Sequence, residues 1–107
     1  MENVIMSELF FEAYEFLKQD SATDLYMPVI IESTFGKYIK PKKTYLCEFY
    51  LYLAELHKHN VVWDGSCRLT SEDGNHICKY EMKVRKDYLH AKHGKITITV
   101  FQLGTEI

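Results

Sequence analysis

Residues 67–78 read CRLTSEDGNHIC and bring Cys67, His76 and Cys78 close together around an Asp-Gly pair. Two thiols and an imidazole at short range could hold a zinc ion, or the thiols could join in a disulfide. The local geometry argues against both. A two-residue turn at Asp73-Gly74 sets Leu69 opposite Cys78 and Cys67 opposite Tyr80. The two cysteines are then diagonal neighbours about 7–8 Å apart, beyond the usual Cα reach of a disulfide. His76 falls roughly 13 Å from Cys67 along the strand, too far to share one zinc. The segment therefore predicts a hairpin with both thiols turned into the core. Trp63, Cys67, Leu69, Cys78, Tyr80, Met82 and Val84 share the apolar face. Asp64, Ser66, Arg68, Thr70, Lys79, Glu81, Lys83 and Arg85 share the other.

The remaining histidines lead to the same result. His57 and His59 close a helical pattern, where cationic side chains suit the last carbonyls. His90 and His93 stand three apart beside Tyr88, and Asp87 and Gly94 bracket them as a short helical turn. These three residues are where a small ribonuclease-type enzyme would place its chemistry. No further metal ligand accompanies them, and the chain has no phosphate loop and no nucleophile elbow. The expectation is a non-catalytic protein with no cofactor and no metal.

Charge is the next source of function. The net charge is −2, from 13 basic and 15 acidic residues, which supports neither a strongly basic nucleic-acid binder nor an acidic DNA mimic. Its distribution is uneven. Residues 1–36 hold seven acids and one base, whereas residues 37–107 hold twelve bases and eight acids. Two groups stand out as partner-binding candidates. One is the acidic line Glu8, Glu12 and Glu15; the other is Lys37, Lys40, Lys42 and Lys43 with Lys83 and Arg85.

These side chains need elements to position them. Residues 7–20 carry apolar side chains at helical spacing, with Ser7 as cap. Residues 44–60, from Thr44, form a second helix that is apolar over more than half its circumference. After Val61 the period changes to two. VVWDGSCRLT, HICKYEMKVR and KITITVFQL read as three successive antiparallel strands. YMPVIIEST favours a strand through its β-branched run, while Pro28 could instead open a short helix. The fold class expected is α+β: two main helices on one face of a small antiparallel sheet of three strands, or four, ending in a β-meander. One domain over residues 1–107 fits the length.

FFEAYEFLK, residues 10–18, resembles a helical stretch of a phage anti-restriction DNA-mimic family over nine residues. That family is acidic and helical throughout and this chain is neither, so no residue role is carried across. The N-terminal stretch lacks the basic start of a secretion signal, and no apolar run reaches 18 residues. With three cysteines these features predict a reduced, cytoplasmic protein without membrane contact, monomeric or weakly dimeric.

Two binding functions follow. The first is a protein-binding module that occludes a larger partner, in the manner of phage or mobile-element inhibitors of host nucleases or defence complexes. The second is a winged-helix nucleic-acid binder. It needs residues 28–36 to be helical, a recognition helix from Thr44, and phosphate contacts from Arg68, Lys79, Lys83 and Arg85.

Overall fold

The computed structural model describes residues 6–18, 25–33, 37–87 and 94–106. Helix α1 spans Met6–Leu17 and buries Ala13 and Leu17, four apart on one face. Ser7 lies inside its first turn and is not the cap; residues 19 and 20 lie outside the described residues. Strand β1 (Pro28–Glu32) buries Val29 and Ile31 and turns Pro28 and Glu32 outward. The β-branched run thus prevails over helix initiation at Pro28, and the helix that the winged-helix reading needs is not formed there.

The second helix is shorter than its apolar pattern. Strand β2 occupies Lys42–Tyr45, a 3-10 turn follows at Leu46–Glu48, and helix α2 proper is Phe49–Lys58. Thr44 is a strand residue opposite Val29. The chain stays paired even beyond β2: Leu46 N–H donates to the Met27 carbonyl and Cys47 N–H to the Leu25 carbonyl, each at 2.9 Å. These bonds satisfy amides at the helix entrance, which has no side-chain cap. Phe49, Tyr52, Leu53 and Leu56 are buried, so this helix fills the core and does not present a groove-reading face.

Strands β3 (Val61–Trp63), β4 (Arg68–Asp73), β5 (His76–Asp87) and β6 (Lys95–Glu106) complete one six-stranded sheet ordered β2-β1-β6-β5-β4-β3. This corrects the expected architecture. The sheet is mixed, because β1 runs parallel to β6 while every other pair is antiparallel. It curls into a half-barrel, and helices and sheet together make a strand-rich molecule. The connection explains the curl. α2 links β2 to β3, the two outermost strands. Residues Leu46–Lys58 reach only about 20 Å, whereas the edges of a flat six-stranded sheet stand roughly 24 Å apart. The helix therefore crosses the concave side, and the sheet bends around it.

Concave side chains form the core. Val29 and Ile31 pair across to Ile96 and Ile98, then Val84 and Met82 follow on β5 and Leu69 on β4. Phe49, Leu17, Ile31, Ile96 and Ile98 are all at most 1% exposed. Among the described residues no charged or polar side chain is fully buried.

The hairpin differs from expectation in two places. VVWDGSCRLT is not one strand, because Asp64-Gly65 turns the chain between β3 and β4. The Asp64 carboxylate accepts from the Ser66 amide at 2.8 Å and the Ser66 hydroxyl at 2.7 Å, and Gly65 takes φ 89°. Slight burial acts to raise the Asp64 pKa, but these bonds and main-chain amides outweigh it and hold the carboxyl below its usual range. The second turn closes at Gly74-Asn75, with Asp73 opposite His76. Leu69 consequently faces Tyr80, and Cys78 faces Ser71. A slip of two residues preserves which side each side chain points to, so the apolar face survives the change. β6 carries one bulge: Lys79 pairs Gly104 and Tyr80 pairs Gln102, leaving Leu103 as the extra residue.

Candidate binding face

The cysteine question resolves first. Met82 N–H donates to the Cys67 carbonyl at 2.7 Å, so Cys67 lies four residues along the ladder from Cys78. That is about 13 Å, and all three cysteines are free thiols. Neither Cys67 nor Cys78 belongs to the core, as the alternation had implied; both are half-buried. The Cys67 thiol lies 3.6 Å from the Glu81 carboxylate, to which it donates. His76 is exposed at the far end of the hairpin. Among the described residues no three potential ligands converge on a metal position. Tyr88, His90 and His93 lie outside the described residues.

The charged candidates separate onto different surfaces. Glu8, Glu12 and Glu15 form one exposed line along α1. Glu15 accepts an ion pair from Lys18 at 3.5 Å. α1 lies on the concave side, where the Phe16 ring meets Trp63 edge-on at 5.6 Å. The basic group divides in three. Lys37 stands over the Tyr38 ring, 5.5 Å from its centre. Lys40 and Lys42 border a hollow against Glu48, Leu51 and Glu55 of the second helical segment. Lys43, Lys83 and Arg85 reach the convex face of the sheet.

There the register assembles something the linear sequence does not display. Lys43 pairs with Ile30, Ile30 with Thr97, and Thr97 with Arg85. One row thus crosses four strands, with a cation at either end about 14 Å apart. The next row runs Glu32, Thr99, Lys83, and the one beyond it Phe101, Glu81, Arg68. Lys95, opposite Asp87, joins from the other side. A groove of about 440 Å³ runs between these rows, lined by Lys83, Arg85 and Lys95 with Glu32, Thr97 and Thr99. The Thr99 hydroxyl donates to the Glu32 carboxylate at 3.3 Å. Among the described residues, Lys43, Lys83, Arg85 and Lys95 have no carboxylate partner within ion-pair distance. Phe101 is 46% exposed on the same face, with Leu103 beside it.

Lys95, Phe101 and the threonines were absent from the sequence-derived candidates. Their signal was the alternation of KITITVFQL, whose outward positions are Lys95, Thr97, Thr99 and Phe101. Chemically, the face offers four cations without carboxylate partners among the described residues, interspersed carboxylates and an exposed aromatic ring. It can form intermolecular ion pairs and bury a modest apolar patch. No family model, no curated protein and no solved structure matches this chain.

Proposed function

We propose that the domain is a non-catalytic binding module that takes an acidic, partly apolar segment of another protein onto the convex face of its sheet. Occlusion of that partner's surface is the action this predicts. The observation that carries the reading is the set of four cations, without carboxylate partners among the described residues, around a threonine-lined groove, with Phe101 as an aromatic anchor. Protein is favoured over nucleic acid by the interspersed acids. Glu32 and Glu81 stand in the same rows as Lys83 and Arg68, and a uniform phosphate chain would meet them as well. A polypeptide can alternate its charges to match.

The test is photo-crosslinked capture from cell extract, comparing charge reversals. Lys43→Glu with Arg85→Glu removes both ends of one row and should weaken capture of a discrete protein band more than tenfold. Lys42→Glu, whose backbone partner is Ile31 and not Ile30, should leave it unchanged. Melting temperatures should agree within a degree or two, because all three side chains are exposed. Equal capture by wild type and the double variant would remove this face from consideration.

A further inference from the structure

The concave face carries a second feature, independent of the convex groove. Where α2 ends, the lining of the sheet changes from large side chains to small ones. The row Val61, Ser71, Cys78 follows the row Trp63, Leu69, Tyr80. A cleft of about 420 Å³ opens there, between β4–β5 and a wall made by residues 37–39 and 58–60. Such a volume lies within the range of small-molecule sites. Its wall is held in place. The Ser33 hydroxyl donates to the Ile39 carbonyl at 2.7 Å, and Ile39 is 3% exposed. Asn60 takes φ 62° as the left-handed residue that ends the helix. His59 N–H donates to the Leu56 carbonyl and Asn60 N–H to the His57 carbonyl, so carbonyls at the negative end of α2 are engaged before any ligand arrives.

The functional groups fall into three zones. Lys37 and Lys58 supply cations at the rim. Among the described residues Lys58 is held only by an exposed pair with Glu55 at 3.7 Å, a contact of little strength. A flat wall comes from Tyr38, stacked on His59 with centroids 4.3 Å apart and planes at 7°. His59 covers one side of the Tyr38 ring, so the Lys37 ammonium covers the other. A planar ring entering there displaces the Lys37 ammonium, which then meets an anion. Between rim and wall stand the Ser71 and Tyr80 hydroxyls, which are bonded to each other and each keep capacity for a further hydrogen bond. Burial raises the Tyr80 pKa, a bond from Ser71 opposes it, and the neighbouring Cys78 thiol adds to the rise.

We infer that this cleft binds a nucleoside monophosphate or a molecule of the same pattern: planar ring, hydroxylated centre, anionic end. The ring lies on Tyr38, the anion meets Lys37 and Lys58, and the hydroxyls meet Ser71 and Tyr80.

Cys78 lines the cleft and supplies the readout. Iodoacetamide alkylates the thiolate, forming a sulfur–carbon bond as iodide leaves and the thiol proton passes to buffer. Peptide mass spectrometry follows Cys47, Cys67 and Cys78 separately in the full chain. One of AMP, GMP, CMP or UMP should slow Cys78 alkylation at least tenfold while the other two cysteines react unchanged. The matching nucleoside and ribose 5-phosphate should each protect less. Lys37→Glu with Lys58→Glu should raise the half-protecting concentration at least tenfold. No protection by any of the four at about 10 mM, enough to reveal a millimolar Kd, would overturn the assignment. So would equal protection by inorganic phosphate or benzoate, which lack the ring–hydroxyl–anion pattern.

Discussion

Tyr52→Phe tests how the basic segment is held to the body of the domain. The Tyr52 ring is 8% exposed on α2, and its hydroxyl donates to the Lys40 carbonyl at 2.8 Å. That bond fixes the chain two residues before β2, and so the strand that carries Lys43. Burial raises the hydroxyl pKa from 10.0 to about 12. A group whose folded pKa is raised contributes its stability fully below the unfolded pKa and loses it as pH rises through the folded one. For these two values the loss is about 0.4 kcal/mol at pH 10, about 1.4 at pH 11 and about 2.3 at pH 12; these are upper bounds, because the hydroxyl is only part-buried and water screens its charge. At pH 7 the phenylalanine variant lacks one hydrogen bond, worth about 1 kcal/mol. Wild type is therefore the more stable protein at pH 7, and the order reverses near pH 11. Urea unfolding of both proteins at half-unit steps from pH 7 to 11.5 measures the difference, and comparison between them cancels the other seven tyrosines. Absorbance at 295 nm should also show one fewer late-titrating tyrosine in the variant. Parallel loss of stability in the two proteins across this range would refute the desolvation of Tyr52.

Phe49 is fully buried where α2 crosses the sheet, so Phe49→Ala should cost about 3–5 kcal/mol in denaturant unfolding. Gly74 takes φ 63° at the first loop position of the β4–β5 turn, and a Cβ there would meet nothing within 4 Å. Gly74→Ala should therefore lose only the backbone term, about 1–2 kcal/mol, while Gly74→Asn should lose less. Phe101→Ala removes a half-exposed ring, so capture of the partner should fall while the melting temperature holds.

Much of the concave face is legible in the sequence. Leu69, Tyr80, Met82 and Val84 alternate with charges, and Ile96, Ile98 and Val100 alternate with hydroxyls, because one side of each strand packs on helices. The turn Asp64-Gly65 was equally visible, yet Val61–Trp63 alone is too short to announce a strand. EDGN offers both Asp-Gly and Gly-Asn as a two-residue loop, and local sequence does not choose between them. Lys42–Tyr45 is a strand only because β1 lies beside it; its tail reads equally well as the start of an apolar helix. The binding face was the least legible part. Lys43 and Arg85 share a row only through the parallel pairing of β1 with β6, which joins residues 67 positions apart, as in Ile30 with Thr97. No local pattern encodes a contact of that range. The basic part of the sequence is thus divided among separate surfaces, and on the convex face its cations stand in rows interspersed with acids.

That rearrangement also sharpens the choice between a polypeptide and a polyanion. If the convex face served nucleic acid, Lys43, Lys83, Arg85 and Lys95 would each neutralise a phosphate. Nonspecific affinity for duplex DNA would then fall with salt at a log–log slope near −3.6, about −0.9 per phosphate contact. The carboxylates of Glu32, Glu81 and Asp87 lie among those cations in the same or adjoining rows, so a phosphate chain laid across them gains and loses in nearly equal measure. The whole chain, at −2, adds a further repulsion. Fluorescence anisotropy with a labelled random duplex should accordingly show no binding at about 0.15 M salt, and a slope shallower than about −2 at lower salt. Phosphate-bearing ligands of the concave cleft do not interfere, because that cleft admits a mononucleotide and not a duplex. A slope of −3 or steeper, lost on Lys43→Glu with Arg85→Glu, would mean that phosphates engage all four cations despite the acids, and the convex face would then be a nucleic-acid surface.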